Sequence, residues 1–195
     1  MNELAGLVAF AFAGSVSPGP NNAILWASGL AFGFRRSLPH LLGTAIGIGA
    51  LAIGVAAGIG ALFEAVPSAE LALKLAGSAY LLFVAYRVLG STGIGPTEVS
   101  RPFTLRQAIG FQCVNPKAWV FAVAAVSTFL PHGLPAMVAI GALTGVVMAV
   151  VVASSSIWAI GGAALGRIVD DDRSRRVVGI VLAVLLVASV ALIWL

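Results

Sequence analysis

The chain has 195 residues, of which 60% are apolar and 9% charged, with a mean hydropathy of +1.07. About a quarter of the residues in a soluble domain are charged, so this chain cannot clothe a water-facing surface and must have lipid as its solvent. The net charge of +4 and pI near 10 do not point to nucleic acid. The eleven Lys and Arg residues lie scattered between apolar runs rather than along one stripe.

A bilayer-crossing helix needs about 20 mostly apolar residues, and six stretches qualify: about 4–34 (interrupted), 41–63, 71–90, 107–130, 135–160 and 177–195. The first could be mistaken for a signal peptide, because Ala11-Phe12-Ala13 imitates a cleavage site. However, Asn2 and Glu3 supply no positive n-region and the apolar pattern resumes after a short break, so it reads as a retained span.

That break is Ser15-Val-Ser17-Pro18-Gly19-Pro20-Asn21-Asn22. Pro18 and Pro20 remove backbone donors and clash with preceding carbonyls. In hydrocarbon the freed groups need partners or an enclosed cavity. A helix restarting near Asn21 aims free N–H groups and a positive dipole end into that cavity, which suits a carboxylate. Ser17, Asn21 and Asn22 add polar side chains. A merely kinked helix, with the asparagines bonded to a neighbouring span, is the plainer alternative.

Span two is expected to open at Leu38-Pro39. Its Gly43, Gly47, Gly54 and Gly58 have the spacing of closely packed membrane helices, and Gly49, Gly141 and Gly145 read the same way. The longest polar connection, Ser91 to Arg106, is a loop holding Pro96 and Pro102.

Span four breaks at Gln112-Cys113-Val114-Asn115-Pro116-Lys117. A charge at mid-membrane costs roughly 2.5–3.5 kcal/mol on insertion scales, so Lys117 is expected to face the interior. Two tasks suit it: attracting a substrate carboxylate, or pairing with carbonyls at a helix C-terminus. Snorkelling to an interface is the alternative. Cys113 excludes an internal disulfide and reads as a small buried hydrophobe. His40 and His132 read as lone loop-edge histidines, not metal ligands. The six tryptophans and tyrosines (Trp26, Tyr80, Tyr86, Trp119, Trp158 and Trp194) read mostly as packing or interfacial anchors.

Orientation follows from the basic residues. Nine (Arg35, Arg36, Arg87, Arg101, Arg106, Arg167, Arg173, Arg175 and Arg176) fall in the odd loops, against Lys74 alone on the other side, with Glu64 and Glu70. The odd loops therefore face the cytoplasm and both termini face out. The acidic run Asp170–Asp172 counts for little in this rule.

A repeat is also legible. Pro20 and Pro116 are 96 positions apart, Leu38-Pro39 and Leu134-Pro135 share that offset, and Lys74-Leu-Ala-Gly77 matches Arg176-Val-Val-Gly179 at 102. Paired breaks in the two halves point to a transporter's central site. The expected fold is an all-α integral membrane protein of six transmembrane helices, arranged as a 3+3 inverted repeat with spans one and four broken at Pro motifs. It would be a single polytopic domain over 1–195, with a first repeat about 1–90, a linker about 91–106 and a second repeat about 107–195.

The candidate substrate-binding residues are Ser17, Asn21, Asn22, Gln112, Asn115 and Lys117, with Pro18, Gly19, Pro20 and Pro116 as helix-breakers. No catalytic residue, cofactor or metal site is expected. Apart from Lys117 no charge lies deep in a span, so a neutral zwitterion is favoured over a cation, which would want a buried carboxylate.

Ser17-Pro18-Gly19-Pro20-Asn21 and Asn115-Pro116-Lys117-Ala118-Trp119 resemble the LysE/RhtB-type amino-acid exporters. Lys74-Leu-Ala-Gly77-Ser-Ala-Tyr80-Leu81 is similar to that family's third-span segment, and the Arg35-Arg36 loop also fits. The resemblance covers essentially the whole chain. It implies inner-membrane efflux of amino acids or close derivatives, with protons as coupling ion through the proton motive force, and it implies no enzyme. Ala85-Tyr86 departs from a common glycine–aromatic pair, and Pro39 is a second departure; both leave the branch and the substrate open. An exporter of a metal or other small ion is the alternative on the same fold, and a non-transporting membrane subunit is a third reading. Small-residue faces permit a homo-oligomer.

Overall fold

The computed structural model describes residues 2–59, 67–90, 101–168 and 172–194. Most of the 91–106 linker, Glu64, and Asp170 and Asp171 of the acidic run lie outside them. So do the side chains of Glu70, Tyr80, Arg87, Asp172, Arg173, Arg175 and Trp194.

Among the described residues there are helices and no strands. In chain order they are α1 (Asn2–Val16), α2 (Pro20–Phe32), α3 (Phe34–Gly54), α4 (Pro67–Gly90), α5 (Leu105–Cys113), α6 (Pro116–Phe129), α7 (Ala136–Leu165) and α8 (Asp172–Trp194). A π-helical turn, Val55–Ile59, extends α3, and Gly58 kinks it with φ of 100°. Among the described residues two helices are long and apolar enough to cross a bilayer, Phe34–Gly58 and Ala136–Leu165. The pair α5 and α6, bent by 74° at its break, makes a third if it counts as one span.

Both breaks fall where the prolines require them. Pro20 and Pro116 each occupy the first helical position of the resumed segment, where a missing N–H costs nothing. Upstream, Thr104 and Gln107 form a reciprocal capping box that starts α5.

The second expected span is where sequence and structure part. The chain turns at Gly33, with φ of 78°, a conformation that favours glycine. A new helix begins at once at Phe34. Arg35 and Arg36 therefore sit in the first turn of α3 rather than in a loop. Pro39 lies inside the helix instead of opening it, while Pro135 does stand as the N-cap of α7. His40 is consequently no loop-edge residue: it is fully buried in α3 with its ring 4.9 Å from that of Phe103. Cys113, expected inside, is exposed.

The helices interlock between the halves. α1 and α2 pack along α7, α3 packs on α5 and α7, and α4 packs on α8. Close approach rests on glycine. A Cβ on Gly29 would collide with the Ala159 carbonyl, one on Gly162 with the Trp26 carbonyl, and one on Gly43 would lie 2.6 Å from the Leu105 carbonyl. Gly47 and Gly49 are similarly crowded, by Gln112 and Met148. Gly141 and Gly145 face open space instead, so the packing expectation fails there. The main apolar core gathers Leu7, Ala11, Leu51, Phe121, Leu143, Val147 and Val151 around the crossing of α1, α3, α6 and α7.

Candidate functional site

The two breaks come together around one cavity of about 40 Å3. A buried water needs at least about 10–15 Å3 of such space, so the cavity has room for a few waters or a solute's head group. Its wall contains Asn21 and Asn22 from the start of α2, and Gln112, Asn115 and Lys117 from the second break. Ser17 stands behind Lys117, to which it is bonded. Of the helix-breaking residues, Gly19 lines the cavity, Pro18 offers a carbonyl to Lys117, and Pro20 and Pro116 open α2 and α6.

Three amides form a chain across the halves. Asn21 Oδ1 accepts from Gln112 Nε2 (2.9 Å) and lies 3.0 Å from Thr44 Oγ1, whose single proton is shared with the His40 carbonyl. Asn115 Nδ2 in turn donates to Gln112 Oε1 (3.2 Å). All four residues are buried, Gln112 completely. Buried polar groups in a water-free interior need such partners, and the chain supplies nearly all of them.

The end of α1 is held from three directions. Asn22 Nδ2 donates to the Ser15 carbonyl (2.6 Å) and the Ser17 carbonyl (2.9 Å). The Trp158 indole donates to the Val16 carbonyl (3.0 Å). The Lys117 ammonium donates to the Ser17 carbonyl (2.9 Å), Ser17 Oγ (2.8 Å) and the Pro18 carbonyl (3.1 Å). Of the two tasks foreseen for Lys117, pairing with carbonyls at a helix C-terminus is the one seen. A cation there complements the negative end of the α1 dipole. On the other break, Trp119 donates to the Cys113 carbonyl (2.9 Å). Trp119 and Trp158 are thus more than packing or interfacial anchors: each seals a broken end.

Sequence reasoning missed Thr44, Ile48, Phe121 and Ser155 on the cavity wall, and Ser15, whose hydroxyl meets Ser154 Oγ at 2.6 Å. Phe121 stacks on Phe10 with ring centroids 5.2 Å apart, backing the cavity with apolar bulk. The run Ser154-Ser155-Ser156 in an otherwise apolar helix was a readable signal. Thr44 and Ser15 were not, since a lone hydroxyl in a membrane helix can bond its own preceding turn. Thr44 and Ser15 do so, donating to the carbonyls of His40 and Ala11.

An apolar helical bundle whose broken helices meet at a cavity lined by amide side chains, with one cation and no carboxylate on its described wall, is the build of a membrane carrier. The sequence profile of the LysE type translocators matches residues 12–193. The chain belongs to that family: it is a membrane transporter and not an enzyme. It is similar to the cysteine/O-acetylserine efflux proteins of Escherichia coli (strain K12), Shigella sonnei (strain Ss046) and Shigella flexneri. Each is 30% identical over 177 residues, spanning 89% of this chain and 88% of the relative. No solved structure matches the chain.

Proposed function

We propose that this protein exports a small zwitterionic amino acid, or a close derivative, from the cytoplasm by alternating access. The observation that carries the reading is the meeting of the two breaks on one cavity lined by Asn21, Asn22, Gln112, Asn115 and Lys117. The start of α2, with the backbone N–H groups of Asn21 and Asn22, supplies a carboxylate-binding end. Lys117 adds a positive charge beside it: a Cβ on Gly19 would lie 3.0 Å from Nζ. Efflux of cysteine or O-acetylserine, named for the relatives, fits a neutral zwitterion of this size. The resemblance to LysE/RhtB exporters makes the proton motive force the drive.

We read the pairs α1–α2 and α5–α6, with α3, α4, α7 and α8, as six spans of one domain, related as an inverted 3+3 repeat. Two features support this. The broken helix of each half packs on the second span of the other. The second residue of each resumed helix also reaches to the other half's break, Asn21 to Gln112 and Lys117 to Ser17. Those two residues share the 96-residue offset of the prolines.

The test is efflux from cells loaded with a mixture of amino acids and O-acetylserine, comparing the wild type with Lys117→Met. Release by the wild type and its loss in the variant, with both proteins in the membrane, is the expected result. Equal release from both removes Lys117 from the mechanism. No release of any compound by the wild type overturns the amino-acid assignment.

A further inference from the structure

Among the described residues, one acceptor on the cavity wall is fully buried without a hydrogen-bond partner. The amide chain has a fixed direction, because Gln112 Nε2 lies against two acceptors, Asn21 Oδ1 at 2.9 Å and the Ala108 carbonyl at 3.4 Å. A backbone carbonyl cannot donate, so the Gln112 nitrogen must face it. Gln112 Oε1 is then turned toward Asn115, which must present its nitrogen (3.2 Å). Asn115 Oδ1 is therefore an acceptor, and among the described residues it is buried with no partner, on a residue that lines the cavity and is 4% exposed. Of the other strong groups nearby, Asn21 Oδ1 accepts from Gln112 and shares the Thr44 proton, and the Lys117 ammonium makes three bonds.

We infer that Asn115 Oδ1 is the seat of the substrate's ammonium group. The assignment rests on the amino-acid efflux reading above and makes it more specific. A primary ammonium is the complement of an orphan amide oxygen in a wall without carboxylates. It can donate to Asn115 while the carboxylate of the same molecule lies at the start of α2. The cavity thus reads both ends of a zwitterion, and the ammonium end is read by the amide that closes the chain. An acylated nitrogen has a single N–H, no charge and added bulk at the point where the orphan oxygen sits. Because Asn115 also donates to Gln112, it presents its oxygen in one orientation only. This gives selectivity without a buried charge.

The test uses ligand pairs on the wild-type protein, so it does not depend on any variant folding. O-acetylserine is compared with N-acetylserine, its isomer with the amine acylated, and cysteine with N-acetylcysteine. Each is offered as a competitor of labelled O-acetylserine or cysteine transport in inside-out vesicles. A site built to hydrogen-bond a group rejects the analogue that lacks it, so the N-acetyl compounds should compete at least about tenfold more weakly. Asn115→Leu, where it inserts normally, should bring the members of each pair within about threefold of each other. Transport of the free amino acid with equal competition by its N-acetyl derivative overturns the assignment and leaves the efflux reading standing. Absence of transport for both amino acids overturns the efflux reading in this form and the ammonium seat with it.

Discussion

Lys117 occupies the second position of α6, where the positive end of its own helix dipole disfavours a cation. Its ammonium reaches away from that dipole to the C-terminal end of α1, a site that favours it, and so ties residues 100 positions apart. His40 is the opposite case. Its ring is fully buried, tilted against that of Phe103, and neither nitrogen has a hydrogen-bond partner among the described residues. A buried polar group left unpaired costs about 1–3 kcal/mol, and replacing it by an apolar group of similar size removes that cost. His40→Leu is therefore expected to leave stability unchanged or raise it by about 1 kcal/mol, read as an equal or higher Tm in detergent. A drop of several degrees would mean that the imidazole finds a partner in the working protein.

At the scale of elements, the crossing of α2 on α7 depends on backbone meeting backbone. Gly29 and Gly162 each face a carbonyl of the other helix, and a main chain cannot swing aside as a side chain can. Gly29→Val should push the helices apart and cost at least about 1–3 kcal/mol, seen as a lower Tm and a smaller monodisperse fraction on gel filtration. Gly141→Ala is the control. Nothing lies within 4 Å of a Cβ there, so the gain in helix propensity should stabilise by about 0.5–1 kcal/mol.

This contrast also marks what sequence could carry. Prolines and polar residues inside apolar runs are costly in lipid, so both breaks and the polar residues flanking them were legible. Which glycines meet another helix was not, because spacing defines a face but not what covers it. The start of α3 was misplaced for a related reason. Arg35-Arg36 and Pro39 spell a loop by composition, whereas the positive φ at Gly33 lets the chain enter a helix at Phe34, before the Leu38-Pro39 pair expected to open it.

For the whole molecule, the inverted repeat and the orientation are two separate claims, and one experiment addresses both. An offset of 96 relates Arg36, in the first turn of α3, to His132, in the turn before α7. If the halves are inverted, these equivalent positions lie on opposite sides of the membrane. If the basic residues set the orientation, Arg36 is the cytoplasmic one. Cys113 is the single native thiol and is exposed, so a Cys113→Ser background is needed. Arg36→Cys and His132→Cys on that background are then labelled with a membrane-impermeant maleimide in intact cells. The expected pattern is labelling of His132→Cys at once and of Arg36→Cys only after permeabilisation. The reverse pattern keeps the inverted repeat and overturns the orientation. Labelling of both from one side overturns the repeat itself, because a parallel arrangement of the halves would place residues 36 and 132 together and could not bring the two proline breaks to one depth from opposite directions.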